Sequence, residues 1–194
     1  ALEKRLKQMK QSGQTPDNLT FAGNGEPTIH PDFDLIIEDT LSLRDAWFPD
    51  AQVTVLSNAS LLHKEKVFKA LNKVDNNVLK LDTVFESTFR LLNQPPPHML
   101  LSTIIENLKR FDGNQVIQTL FVRGAYDGKK VDNTTPGEVK AWIEVLKEIQ
   151  PKYVMIYPIE RDTAAQGLEK IPVDELHRIA KQVNEAGIQT KVFA

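Results

Sequence analysis

The stretch FAGNGEPTIHPDF, residues 21–33, opens like the end of a buried strand. It then sets Gly23, Asn24, Gly25, Glu26 and Pro27 in a row and runs into His30-Pro31-Asp32-Phe33. Gly23 and Gly25 permit a positive φ and let a ligand approach the backbone closely. Pro27 stiffens the exit from the turn. Glu26 is thereby held at a strand end as a carboxylate able to accept hydrogen bonds from an ammonium group. The competing reading of Glu26 is structural: a cap on the following helix, or a partner for a nearby Arg. His30, Asp32 and Asp34 lie close by, but their spacing matches no strong metal pattern. Asp32 reads instead as the start of a helix.

Outward from this stretch the chain alternates regularly. Apolar, β-branched runs occur at LTFAG (19–23), VTVLS (53–57), VLKLD (78–82), VIQTLFV (116–122), YVMIYPI (153–159) and IQTKVF (188–193). Between them apolar residues recur at helical spacing: Phe33, Ile36, Ile37 and Leu41; Val67, Ala70 and Leu71; Ile104, Ile105 and Leu108; Trp142, Val145, Leu146 and Ile149; Leu176, Ile179, Ala180 and Val183. Pro136 and Pro172 sit where helices begin, and Gly187 just past a helix end. Strand–helix alternation of this kind predicts an α/β fold with a parallel sheet, barrel or doubly wound. The QPPPH run (94–98) reads as a rigid loop. The chain opens on a helical pattern, Leu2, Leu6 and Met9, which a strand normally feeds, so a strand upstream of Ala1 is expected.

Composition sets the limits. The 194 residues suit one domain, and 41% are hydrophobic and 26% charged. The net charge of −2 gives no broad basic surface for nucleic acid. No apolar run approaches the ~20 residues of a membrane span, so a cytoplasmic protein without a membrane partner is expected. There is no Cys, which excludes disulfides and thiolate metal ligands within these residues.

In parallel α/β folds ligands gather at the carboxyl ends of the strands. Polar residues recur there: Gly23-Asn24-Gly25-Glu26, then Ser57-Asn58, then Lys80 and Asp82, then Arg123-Gly124, then Tyr157-Pro158 with Glu160, Arg161 and Asp162 beyond. Five successive strand ends thus offer polar groups toward one rim.

These segments resemble a family. GNGEP with TIHPDF is similar to the Gly-Gly-Glu-type motif of radical S-adenosylmethionine (SAM) enzymes, and the likeness continues in order through VLSNASLL, KLDT, FRLLNQPPP, QTLFVRG and IYPIERDT. It covers nearly the whole chain and looks closest to iron–sulfur oxidoreductases similar to wyosine-base-forming tRNA enzymes. The resemblance implies one radical SAM core domain over residues 1–194, a parallel partial (β/α)6-type barrel missing its first strand. It implies that Glu26, with the backbone of Gly23 to Gly25 and Pro27, holds the amino group of SAM. Ser57 and Asn58 would face its methionyl or ribose part. Lys80 and Asp82 would lie near the ribose and carboxylate, Arg123 would partner a carboxylate, and backbone around Tyr157 to Ile159, including Pro158, would meet the adenine. Gln94 stands where a basic residue is expected.

The family holds a [4Fe-4S] cluster through three cysteines in a loop after its first strand. A chain with neither is expected to be a truncated core, inactive alone, from a parent enzyme that cleaves SAM with electrons from a flavodoxin or ferredoxin. Its exposed barrel edge would favour self-association. The alternatives are a non-catalytic α/β binding module and a metal- or phosphate-dependent barrel enzyme, for which only Glu26, His30 and Asp82 are candidates. The substrate is a protein, a small molecule or tRNA. Binding to tRNA needs a concentrated basic surface. The candidates, Lys129 with Lys130 and the Lys4-Arg5-Lys7-Lys10 run, read as solvated faces. In a low-salt filter-binding titration, no submicromolar, salt-sensitive tRNA binding is expected; binding that weakens steeply with salt and is lost on Lys129→Ala with Lys130→Ala would reverse that expectation.

Overall fold

A computed structural model describes residues 1–23, 25–160 and 167–194. Asn24, Arg161 and Asp162, named above as candidates, lie outside the described residues. The chain divides into two compact units, Ala1–Val78 and Leu79–Ala194.

The first unit contains α1 (Leu2–Gln11), β1 (Asn18–Phe21), a 3-10 turn (Pro27–Ile29), α2 (Phe33–Trp47), β2 (Gln52–Ser57), α3 (Glu65–Leu71) and the start of β3 (Asn76–Lys80). β1 and β2 run parallel, pairing Leu19 with Val53 and Phe21 with Val55. Val53 and Val55 are fully buried, while Thr54 and Leu56, which alternate with them, are not, the alternation a pleated strand dictates. The opening helix has its own core: Leu6, Phe48 and Ala51 are buried together, with Leu2, Met9, Leu19, Leu43 and Trp47 packed against them.

The second unit contains the end of β3, then α4 (Glu86–Asn93), α5 (Leu101–Lys109), β4 (Val116–Leu120), β5 (Val122–Tyr126), β6 (Lys129–Asp132), α6 (Pro136–Ile149), β7 (Tyr153–Tyr157), β8 (Leu168–Lys170), α7 (Val173–Glu185) and β9 (Thr190–Val192). β4 pairs with β7, and β7 with β9, both in parallel. Trp142 of α6 meets Phe121 edge to face, with ring centroids 5.3 Å apart. The six expected strands are all present, in the sheet order β1-β2-β3-β4-β7-β9, so the α/β parallel class expected from the pattern is the one found.

The run VIQTLFVRG departs from expectation. It is two strands: β4 stops at Leu120, and β5 starts a second sheet, antiparallel to β6 and β8. The cause is local. Asp127 and Gly128 have φ of 51° and 70°, the two left-handed residues of a tight hairpin turn. Gly124, at φ 134°, lies so close to β8 that a Cβ there would sit 2.1 Å from the Gly167 carbonyl oxygen. Lys129 and Lys130 belong to β6 and are exposed. α4, which the periodicity did not mark, buries Phe89.

One ion pair secures the first unit. Asp75 Oδ2 accepts hydrogen bonds from the Val53 amide (2.7 Å) and from Arg44 Nη1 (2.7 Å), which also donates to the Ala51 carbonyl (2.7 Å). Partial burial works against the Asp75 charge, but the Val53 amide and the Arg44 guanidinium outweigh it and hold the carboxyl below its ordinary value. A depressed carboxyl pKa stabilises the fold above its unfolded pKa, and that stability is lost as pH falls through the folded value. Asp75→Asn is expected to cost about 1–2 kcal/mol near neutral pH. Its melting temperature should converge on that of the parent protein as pH falls below the ordinary carboxylate range; a constant difference down to the acid limit would contradict the assignment.

Candidate functional site

In the first unit the carboxyl ends of β1 and β2 are joined through Glu26. Its Oε1 accepts from the Thr28 amide (3.2 Å), the Thr28 hydroxyl (2.5 Å) and the Ser57 hydroxyl (2.8 Å), and its Oε2 from the Asn58 amide (2.6 Å). The structural reading of Glu26 therefore holds: it caps the 3-10 turn that begins at Pro27. It also does what capping alone does not require, gathering Ser57 and Asn58 from the next strand end. Ser57 is buried, and its oxygen accepts from the Ala59 amide (3.1 Å). Asn58 Oδ1 accepts from the Ser60 amide (2.9 Å). Between them Ala59 is held at φ 64°, a left-handed conformation uncommon for a residue with a side chain.

Glu26 is thus less free than the sequence suggests, yet Oε2 has a single donor and keeps capacity to accept another. It borders a cleft of about 660 Å³ lined by Phe21, Gly23, Gly25, Ile29, His30 and Phe33, among others. Gly23 and Gly25 do not take up the left-handed φ their type allows, and no atom lies within 4 Å of where a Cβ would stand on either. Their contribution is open space against the backbone. His30 Nδ1 accepts from the Asp32 amide (3.1 Å). Among the described residues, no three His, Asp or Glu side chains converge as a metal site.

In the second unit Asp82 follows directly on β3 and is buried. Its Oδ1 accepts from the Leu120 amide (2.9 Å), and its Oδ2 from Asn93 Nδ2 (2.7 Å) and Lys80 Nζ (2.7 Å). Lys80 Nζ stands 6.0 Å from the centre of the Tyr157 ring. Burial works against the Lys80 ammonium, but the Asp82 carboxylate and the Tyr157 hydroxyl outweigh it and hold Lys80 above the ordinary lysine value. Burial likewise pushes the Tyr157 phenol up, with Lys80 opposing and Asp82 adding to the shift. Both groups are therefore protonated, and both are donors, at neutral pH. Pro158, next in the chain, is buried.

Arg123 is placed differently from expectation. It lies on β5, opposite Asp132 and Glu169 in register, and pairs with Glu175 of α7. A carboxylate partner is indeed present, supplied by the protein. The QPPPH loop is fastened by Arg90, whose guanidinium donates to the carbonyls of Pro96 (3.1 Å) and Met99 (2.5 Å). Gln94 ends α4 in a left-handed conformation, φ 47°. Sequence reading passed over Thr28, Asn93 and a buried contact in which Glu138 accepts from the hydroxyls of Thr83 (2.6 Å) and Thr88 (2.5 Å). Its only trace in the chain is the Thr135-x-x-Glu138 spacing of a capping box. The Thr135 hydroxyl does cap the Glu138 amide (3.3 Å), but the carboxylate turns toward Thr83 and Thr88.

No family model matches the chain. It is 25% identical over 191 residues to a protein named GTPase Obg of Brachyspira hyodysenteriae, covering 96% of this chain and 26% of that one. It is 26% identical over 163 residues to a UPF0026 protein of Helicobacter pylori, and 25% over 179 residues to one of Methanocaldococcus jannaschii. It covers 49% and 52% of those two, so the chain spans about half the length of these curated relatives. Among solved structures, a domain of a pyruvate-formate lyase-activating enzyme from Bacteroides vulgatus matches with a TM-score of 0.66 and 16% identity, over 91% of this chain and 98% of that one. A radical SAM methyltransferase from Sphaerobacter thermophilus gives 0.70 and 16%, over 98% and 54%. Streptococcus suis SuiB bound to S-adenosylmethionine gives 0.71 and 18%, over 100% and 43%. These likenesses are of fold.

The Lys80–Asp82 pair can be measured directly. Asp82→Asn is expected to cost about 2–3 kcal/mol in urea unfolding, because a partly buried ammonium loses its counter-charge. Combined with Lys80→Met, the loss should fall well short of the sum of the two single losses. Strict additivity would show that the pair is not coupled.

Proposed function

We propose that residues 1–194 form the SAM-binding core of a radical SAM enzyme. The observation that carries this reading is Glu26, drawn together with Ser57 and Asn58 beside open glycine backbone, on a fold shared with radical SAM structures. The residues fit the ligand's chemistry. Glu26 Oε2 has room for one further donor and would take the amino group of SAM. The Ser57 hydroxyl and the Thr28 amide and hydroxyl fix the orientation of the carboxylate. Gly23 and Gly25 leave the backbone accessible, and Asn58 presents its side chain at the same turn. When bound, SAM would supply a sulfonium open to one-electron reductive cleavage, the electron coming from outside these residues.

The residues do not fit a [4Fe-4S] cluster, because the chain contains no Cys to supply a thiolate. Cluster ligands, the reductant and the substrate of the whole protein would come from outside these residues. The wyosine-like assignment stays part of the proposal. The GTPase name borne by one relative finds no counterpart, since the sequence contains no Gly-x4-Gly-Lys-Ser/Thr run with which to cradle phosphates.

Titration calorimetry with SAM is expected to show weak binding, high-micromolar to millimolar. Glu26→Gln should remove it while leaving the fold intact by circular dichroism. Unchanged affinity in that variant would refute the assignment of Glu26.

A further inference from the structure

The second unit's sheet has two unlike faces. Ile117, Thr119, Val154 and Ile156 point to one and are fully buried. Gln118, Leu120, Tyr153, Met155 and Tyr157 alternate with them and are all partly exposed. Gln118 pairs with Met155 and Leu120 with Tyr157, so these residues share the other face. Lys80 reaches over Tyr157 on that face.

The open face has an apolar floor, Leu120 and Met155, that ends in two donors. Lys80 has three N–H groups, of which Asp82 takes one and the Tyr157 oxygen another, leaving one. Asp82 also accepts from the Leu120 amide and from Asn93, so its charge is divided among three donors. Lys80 therefore keeps donor capacity on the exposed side, next to the Tyr157 hydroxyl. A pair of donors at the end of an apolar floor is complementary to a carboxylate carried on an apolar body. It is unlike a nucleic-acid surface, which needs an array of cations along the backbone.

From this geometry we propose that the open face binds an organic acid with an apolar body, its carboxylate on Lys80 and Tyr157 and its body over Leu120 and Met155. Calling that acid the substrate rests on the radical SAM reading; the anion site itself does not.

Octanoate serves as the probe and octanamide as its neutral isostere, each titrated into the 194-residue protein by calorimetry. Octanoate should bind about tenfold or more tightly than octanamide, the difference a charge-assisted hydrogen bond provides. Lys80→Met should abolish that preference, and Tyr157→Phe should reduce it several-fold. Should Lys80→Met fail to fold, Tyr157→Phe decides. Equal binding of the two probes, or a preference intact in Tyr157→Phe, overturns the proposal. Displacement of octanoate by SAM but not by 5′-deoxyadenosine assigns the donors to the SAM carboxylate and also overturns it. A persistent octanoate preference in a protein that does not bind SAM supports the anion site and removes only the cofactor reading.

Discussion

A parallel strand leaves backbone amides unpaired at its ends, and buried amides must find acceptors. This chain meets that constraint with carboxylates. Asp75, just before β3, accepts the Val53 amide of β2. Glu26, after β1, accepts the Asn58 amide after β2. Asp82, after β3, accepts the Leu120 amide of β4. Each acid sits outside a strand and bonds to the chain of a neighbouring one, so each fixes where two strands end relative to each other.

Two of these acids, Glu26 and Asp82, lie at the carboxyl ends, where parallel α/β folds bind ligands. A carboxylate oxygen accepts more than one hydrogen bond, so the same side chain can hold the backbone and still meet a ligand. That dual use explains why Glu26 looks both structural and functional. It also places strain nearby: Ala59 is held at φ 64° by the turn that Ser57 and Asn58 build on Glu26.

The sequence was most legible where periodicity is strong. All six parallel strands, the opening helix and the helix starts at Pro136 and Pro172 follow from apolar spacing and proline placement. The second sheet was not legible, because VIQTLFV is one unbroken apolar run and apolar spacing cannot mark where it changes sheets. The usable signal lay further on, in Asp127-Gly128, a dipeptide that favours two-residue hairpins. For the site, the positions of Glu26, Ser57, Lys80 and Asp82 at strand ends were readable. Their hydrogen-bond partners were not, since Thr28 and Asn93 are ordinary polar residues whose meaning appears only when chain segments meet. Arg123 was read as free for a ligand because Glu175 is 52 positions away and on another element.

The contact between Gly124 and Gly167 bears on how this hairpin can vary among descendants of the chain. The carbonyl of Gly167, just before β8, fills the volume that a side chain at 124 would need. Any residue but glycine at 124 must force β5 and β8 apart, and the left-handed φ there adds to the difficulty. The exposed turn at Asp127-Gly128 can lengthen or change its charge without touching that contact. Drift is therefore channelled toward the hairpin tip, which can diversify while its root stays fixed.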